Sequence, residues 1–497
     1  MALHIWLTRF FLFLVIFYAY SSIRSYRRLR RFNGPWSAAW SNIWYLRASL
    51  SGRAHIALSE VCTKYGSIAR IGPNTLVTCD EELFRKINSI RSGYVKSDYY
   101  KAFRFDADRE NVLSTTEPEA LSYMRKRVTA GYSGKENAHL ESDMDRALWK
   151  LFQLWKDKYT ARGSNPRRMD LARMMQYLTL DIISTLSLGE PLGFLDKDED
   201  LYEYIKTMTD NFPAMTFMSA VPILSRLMRI PSVQRALAPS VKDRIGMGRL
   251  KAVVREKISR RFSEGKEEGR EDMVLSFVKH GLSQGEIEDE SMLQIMAGSD
   301  TTATILRIAL IYIISNPRIY RALQRECDAA NVPENEIITN ERALQLPYLI
   351  AVIQEALRYH PAASGHGPRV VPPQGDTHDG MYIPPGTVIT VCTWNLHRLN
   401  FDAYGEDADI FRPERWLEAS PERLARMEKA HDLVFGYGSF RCLGERIARI
   451  ELNKVLFELM RRFDFELVNP MHPLDNDVNY GIFLQSGMWV HVREREL

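Results

Sequence analysis

Phe435-Gly436-Tyr437-Gly438-Ser439-Phe440-Arg441-Cys442-Leu443-Gly444 sets one cysteine between glycines, just ahead of the amphipathic run Glu445-Arg446-Ile447-Ala448-Arg449-Ile450-Glu451-Leu452. The run predicts a helix, so Cys442 stands near a helix N-terminus. Unpaired N–H groups and the positive end of the dipole lower a thiol's pKa there. Glycines at 438 and 444 let the backbone approach something large and flat. A thiolate held by N–H donors, with no second cysteine nearby, suits a single soft bond to iron. Two plainer readings stand beside this one. A lone cysteine near a turn is often structural. For zinc, the nearest co-ligands are His431 and Cys392, neither at paired-ligand spacing.

The chain has 497 residues, and 45 % are apolar, ample for a large core. Length alone would suggest about three domains. Net charge is +4, and its distribution decides what that means. Residues 1–31 carry Arg9, Arg24, Arg27, Arg28, Arg30 and Arg31 and no acid. Taking these six from 66 basic residues leaves 60 against 62 acids, so the rest of the chain is slightly acidic. The charge therefore does not indicate a nucleic-acid-binding domain. Leu3 to Ile23 is mostly apolar and 21 residues long, enough at 1.5 Å per residue to span a hydrocarbon core of ~30 Å. Most of the arginines follow this run, the reverse of a cleaved signal peptide. The positive-inside rule then predicts a single-pass anchor within residues 1–31 and a cytoplasmic body, 32–497. A cleaved or peripheral amphipathic segment is the alternative. Asn33-Gly34-Pro35 is expected to break the chain and act as a hinge. The five cysteines, odd in number and irregular in spacing, suggest no disulfide framework and fit a reducing compartment.

Ser67–Ile71 and Thr75–Cys79 flank Gly72-Pro73-Asn74 and predict a hairpin. Asp80 is placed to cap a helix over Glu81–Ser89. Tyr94–Asn111 is aromatic, charged and aperiodic, and reads as a loop. Thr116-Glu117-Pro118-Glu119 reads as a capping box, opening a helix with Leu121 and Arg125 one turn apart. Phe212–Ile230 reads as core or, if exposed, as a segment that dips into a membrane surface. Arg255–Asp272, with Gly265 and Gly269, reads as a solvated helix end and loop.

Ser283-Gln284-Gly285-Glu286 can cap a helix that Asn316-Pro317 stops, about 45 Å long. Midway, Ala297-Gly298-Ser299-Asp300-Thr301-Thr302 joins small residues, which leave room beside a cofactor, to an acid next to an alcohol, which can relay protons. A tolerated glycine beside a surface Asp–Thr pair is the plainer reading. Glu355 and Arg358 lie three apart on a helix over Leu349–Tyr359, and Phe411-Arg412-Pro413-Glu414-Arg415-Trp416 offers a second arginine. Ordinary surface ion pairs would explain these equally well. Arg369 precedes Val370-Val371-Pro372-Pro373, and Tyr382–Ile389 reads strand, turn, strand.

These segments together resemble the cytochrome P450 family. The opening stretch matches its haem-binding loop, F-x-x-G-x-x-x-C-x-G. Ala297–Thr302 matches A-G-x-[DE]-T-T, Glu355 and Arg358 match E-x-x-R, and Phe411–Arg415 matches F-x-P-E-R. The matches fall in family order and the resemblance covers essentially the whole chain. Gly405–Asp409 and Phe411–Trp416 are similar to fungal microsomal members of the pisatin-demethylase-like type.

The resemblance implies a mainly α fold with small β-sheets, one large domain behind an N-terminal transmembrane helix. It implies haem b with Cys442 as axial iron ligand. Phe435, Gly438 and Gly444 would shape the loop, with Ala297 and Gly298 beside the cofactor and Arg125 and Arg369 on its propionates. Asp300 and Thr301 would deliver protons, and Glu355, Arg358 and Arg415 would form a structural triad beneath the loop. Tyr480–Val492 resembles a final hairpin whose tip, near Ile482 to Leu484, touches substrate. Two positions depart from the family pattern. Phe440 stands where Arg or His contacts a propionate, with Arg441 one residue later, and Leu121 stands where an aromatic or His donor is usual.

The implied activity takes one oxygen atom from O2 into a small apolar metabolite, in fungal secondary metabolism. Electrons would come from an NADPH-dependent flavoprotein reductase at the endoplasmic reticulum membrane, docking near Lys126, Arg127, Arg446 and Arg449. The alternatives are a haem-thiolate isomerase or dehydratase, and a non-catalytic haem carrier or gas sensor.

Overall fold

Ser283 opens the longest helix. Its hydroxyl accepts from the Glu286 N–H, and the Glu286 carboxylate accepts from the Ser283 N–H, a reciprocal cap that satisfies two orphan donors. The helix runs Gln284–Ile314, 31 residues, until Asn316 turns the chain and caps the next helix, Pro317–Ala329. It is the spine of the computed structural model, which describes residues 2–160, 167–263, 270–364 and 367–496. Gly265 and Gly269 lie outside the described residues. The spine packs along the almost wholly buried helix Leu171–Leu188. Gly298 makes that approach possible, because a Cβ there would fall 2.9 Å from Ile183 Cγ1. Besides any clearance beside a cofactor, this glycine therefore serves helix packing.

The strands are short and peripheral: β1 Ile68–Gly72, β2 Thr75–Thr78, β3 Val95–Lys96, β4 Arg168–Asp170, β5 Arg369–Val370, β6 Asp376–His378, β7 Met381–Ile383, β8 Val388–Val391, β9 Phe463–Leu467, β10 Asn476–Asn479, β11 Phe483–Ser486 and β12 Trp489–Glu494. The largest sheet has the order β1-β2-β8-β5-β3, with β2 and β8 parallel. The predicted β1–β2 hairpin forms, and Asp80 Oδ1 accepts from the Leu83 N–H at 2.7 Å to cap the helix Glu81–Asn88.

Three local expectations are corrected. Tyr94–Asn111 is not all loop, since tertiary pairing of β3 with β5 orders it and a short 3₁₀ turn, Asp98–Phe103, follows. The box at Thr116 does not close. The helix Pro118–Tyr132 starts without a side-chain cap, and Thr116 Oγ1 is buried without a partner. The strand, turn, strand order read over Tyr382–Ile389 forms, with β7 pairing to β6 and β8 joining the large sheet. Tyr480–Val492, however, is not a hairpin. β11 pairs back to β10 and β12 pairs with β4 and β9, so the tight turn lies at 480–482.

The N-terminal helix, Ala2–Arg28, exposes Trp6, Leu12, Phe13 and Ile16. Among the described residues, the helix long and apolar enough to cross a membrane is the spine, which is core. The expected hinge after the N-terminal helix is instead a docked joint. The Asn33 carbonyl accepts from the Arg70 N–H at 2.7 Å, and a Cβ on Gly34 would fall 2.0 Å from the Arg70 carbonyl oxygen. The Arg70 side chain is buried and donates to the carbonyls of Ser25, Tyr26, Ala39, Gly72 and Pro73 at 2.8–3.5 Å. It thus caps the carbonyl end of the first helix with a cation, where the dipole favours one. Tyr26 stacks on Trp40 at 4.8 Å, and Leu29 and Phe32 enter the apolar cluster under the large sheet.

Arg70→Ala should release this joint. Trypsin would cut the run Arg27–Arg31 several-fold faster than in the wild type, and stability would fall by about 1–3 kcal/mol for the carbonyls left buried without a donor. Limited proteolysis and thermal unfolding read both effects.

Candidate active site

The Cys442 loop is pinned from both ends. The Cys442 N–H donates to the Phe435 carbonyl at 2.7 Å, and the helix Glu445–Arg462 begins three residues on. Gly436 and Gly438 take φ of +79° and +55°, the left-handed region that favours glycine. A Cβ on Gly438 would also lie 2.3 Å from the Asn88 carbonyl oxygen. The structure therefore explains Gly438 by its turn and by the helix end it touches. Gly444 has an ordinary φ of −81°, and the nearest atom to a Cβ there is Cys442 Sγ at 3.9 Å.

Cys442 is accessible, yet it lies so deep that burial dominates its ionisation. Both hold together when a side chain lines an internal cavity. Burial pushes the thiol above its ordinary value. The N–H groups of Gly444 and Glu445 bond the sulfur and pull the other way, as does the Arg125 charge. The expected net lowering by the helix terminus is thus outweighed by desolvation.

The middle of the spine has one accessible strip. Between Asp289 and Ile311 every residue is buried except Ala297, Gly298 and Thr301, which share a face. Thr301 Oγ1 donates to the Ala297 carbonyl at 2.8 Å. Asp300 points elsewhere. It is buried and accepts from Gln176 Nε2 at 2.7 Å, and Gln176 Oε1 in turn accepts from Arg307 Nη2 at 2.6 Å. Burial pushes the Asp300 carboxyl up, while Arg307 and Gln176 hold it down. Gln176 and Arg307 carried no motif, so the sequence reading missed them.

Arg125 Nη2 donates to the Arg441 carbonyl at 2.9 Å. Leu121, one turn earlier, is buried apolar core. Arg369 is 6 % exposed, and its guanidinium lies 3.8 Å from the Phe440 ring centroid. Arg441 turns away from this group and forks onto Glu445 (2.8 and 3.1 Å) and Asp432 (2.8 Å). It does not stand in for the basic residue that 440 lacks. Lys96, which the sequence reading left inside a loop, is buried beside Arg369.

Glu355 and Arg358 have no exposed side-chain surface, and Arg415 almost none. Arg358 binds the Glu355 carboxylate through Nε (2.9 Å) and Nη2 (2.7 Å), Arg415 Nε reaches it at 3.1 Å, and Trp416 Nε1 donates at 3.0 Å. The remaining arginine donors reach the carbonyls of Tyr404, Asp407, Ala408 and Ile410. Removing one charge strands the others. Glu355→Gln should destabilise the chain by about 3–5 kcal/mol, read as a lower thermal unfolding midpoint.

Comparison with known proteins agrees with this geometry. Residues 32–488 match the family model for cytochrome P450. The cytochrome P450 monooxygenase ABA1 of Pyricularia oryzae is 39 % identical, covering 99 % of this chain and 98 % of its own length. The cytochrome P450 monooxygenase aba1 of Botryotinia fuckeliana is 35 % identical over 94 % of this chain and 92 % of its own. Pisatin demethylase of Fusarium vanettenii is 29 % identical over 91 % and 86 %. The chain belongs to the cytochrome P450 family, a haem b oxidoreductase that incorporates oxygen from O2 with electrons from a redox partner.

Proposed function

We propose that Cys442 would ligate the haem iron and that the accessible strip Ala297, Gly298 and Thr301 lines the same cavity. The observation that carries this is the Cys442 sulfur, accessible at depth and held by two helix N–H groups. The chemistry of the site fits the group. A soft thiolate with no second sulfur beside it suits iron, and the buried cations near it suit a ligand with carboxylates. When bound, the haem supplies oxygen activation and the oxidising power.

The chain's own residues do the rest. Gly444 and Glu445 N–H groups draw charge from the sulfur and tune its donation. Thr301 holds a hydroxyl on the cavity wall, where it accepts and passes protons. Asp300 is a buried proton reservoir behind it, its exchange controlled by Gln176 and Arg307. Arg125 and Arg369 anchor the propionates, and the Glu355–Arg358–Arg415 cluster holds the loop from below.

The substrate class is a small apolar metabolite of fungal secondary metabolism, and the reaction is hydroxylation or a related oxidation. Exposed Ile223, Leu227 and Ile230 support an entry path at a membrane surface. They stand beside a 440 Å³ cavity lined by Tyr45, Tyr99, Ala220 and Val388. The N-terminal helix would be the single-pass anchor in the endoplasmic reticulum, with the body on the cytoplasmic side. An NADPH-dependent flavoprotein reductase would meet the face of Cys442. There Lys126 and Arg446 are exposed, whereas Arg127 is tied to Glu286 and Arg449 to Glu445.

The carbon-monoxide difference spectrum of the reduced protein should be of the thiolate type in the wild type and lose that form in Cys442→Ser. A wild-type spectrum of nitrogen ligation would overturn the proposal. Thr301→Ala should keep NADPH consumption but divert about 10-fold or more of it to peroxide rather than product. Unchanged coupling would remove Thr301 from proton delivery.

A further inference from the structure

We infer that Asp80, His378 and Asp379 form a binding site for a borderline divalent cation of the zinc type, one that fastens the β6–β7 hairpin to the helix Glu81–Asn88. The site uses none of the residues assigned to the haem and does not depend on that reading.

β6 and β7 are joined by Asp379 and Gly380, both left-handed at φ of +48° and +71°, the two-residue turn that a right-twisted ribbon favours. The turn sets a carboxylate at its tip, next to His378. Asp80 comes from a distant part of the chain, as the cap of the helix Glu81–Asn88. Among the described residues these are the one group of three histidine, cysteine or acidic side chains whose ligand atoms all lie within 4.8 Å of one another.

The imidazole shows what the group is arranged around. His378 Nε2 is 3.1 Å from Asp80 Oδ1 and 3.5 Å from Asp379 Oδ2. The His378 side chain is only 8 % exposed, and Nε2 is buried without a hydrogen-bond partner. Both oxygens are therefore in contact with the ring nitrogen, but neither is in line with it. A buried imidazole nitrogen left in this way is costly, and off-axis acids do not satisfy it. They do suit a cation placed between all three groups. At bonds of about 2.1 Å, two ligand atoms of a tetrahedral zinc lie about 3.4 Å apart, and the two contacts of Nε2 straddle that edge. Asp379 is 66 % exposed at the turn tip, so a change of rotamer can close the third edge.

Charge and donor type define the class of ion. Two carboxylates and a neutral imidazole carry two negative charges, which a divalent cation cancels. An imidazole among the ligands suits zinc, nickel or copper, whereas magnesium and calcium prefer oxygen alone. Among the described residues no lysine or arginine pairs with Asp80 or Asp379. Lys86, which reaches the same hairpin, is spent on Asp376 (2.6 Å) and the Thr377 carbonyl (2.8 Å). The Leu83 N–H holds Asp80 Oδ1 at 2.7 Å, the kind of outer bond that fixes the direction of a ligand. The exposed side of Asp379 leaves the remaining position to water. The helix dipole opposes a cation at this end, but that effect is small at an exposed terminus beside two carboxylates.

The consequence reaches the cysteine loop. At the far end of the same helix the Asn88 carbonyl abuts Gly438, and Arg85 lies 5.1 Å from the Tyr437 ring centroid. A cation at Asp80 would stiffen the helix on which that loop is seated.

The full-length holoprotein, freed of loose metal by a chelator, is dialysed against zinc chloride, and bound zinc is counted. The wild type should take up one zinc ion that His378→Gln does not. Asp379→Asn should weaken that uptake by about 10-fold or more, the range for even outer-shell partners. Asparagine tolerates the left-handed turn position, so this variant keeps the hairpin. Zinc should raise the thermal unfolding midpoint of the wild type and leave that of both variants unchanged. Magnesium and calcium at the same concentration should do neither. Equal zinc uptake by all three proteins would overturn the site and leave an ion held at other surface groups, and so would no uptake by the wild type. Variants that are less stable yet bind zinc as the wild type does would show an imidazolium–carboxylate ion pair in its place. An equal response to magnesium would remove His378 from the ligands. Should His378→Gln fail to fold, Asp379→Asn decides by the same uptake and midpoint.

Discussion

Glu355 is a carboxylate with no contact with water, held between two guanidinium groups that have almost none. Three ions in a dry interior are tolerable only when every lone pair and N–H is used. Arg358 and Arg415 between them bind carbonyls from residues 404 to 410, so an irregular segment with no regular backbone ladder is fixed by side chains. The cluster reaches outward in two directions. Trp416 donates to Glu355 and packs its ring edge-on against His431, the last residue of the helix that delivers the chain to the Cys442 loop. Tyr359, beside Arg358, packs against Tyr312 of the spine, which stacks on Phe411 at 4.5 Å. The loop with the sulfur and the helix with the threonine are thus both referred to one buried ion cluster.

At the sulfur itself two electrostatic effects compete. Helix N–H groups and Arg125 favour a thiolate, and burial opposes it. The second is the larger, so the protein alone does not hold a free thiolate. A bound metal cation reverses the balance, as a coordinating thiol is deprotonated outright. Binding such a metal would then be coupled to the stability of the fold.

The N-terminal joint follows a related principle. Gly34 and Arg70 turn a stretch with a breaker composition into a fitted contact. Pro and Gly mark where a chain changes direction, but whether the turn is mobile depends on what it packs against.

The most legible parts were those in which chemistry and spacing lie within a few residues. Ser283 to Glu286 closes as a local hydrogen-bonded ring, Asp80 caps its own helix, and Glu355 reaches Arg358 over one helical turn. The mainly helical fold with short sheets was legible through the motifs that carry the family resemblance, and the cysteine loop through its own spacing. What could not be read depends on partners far away in the chain. Lys96 is an ordinary lysine in an aperiodic stretch until β5, over 270 residues later, sets Arg369 opposite it. Asp300 and Thr301 are neighbours in sequence, but a helix turns successive side chains by about 100°. One therefore faces Gln176 in the interior and the other the accessible strip. Gly298 and Gly438 were visible as glycines. Only the approach of Ile183 and Asn88 shows why a side chain is excluded there. Bonds between near neighbours are written in the order of residues, whereas burial, which pushes the Cys442 thiol up and encloses Lys96 and Arg369 side by side, exists only once distant segments have closed around them.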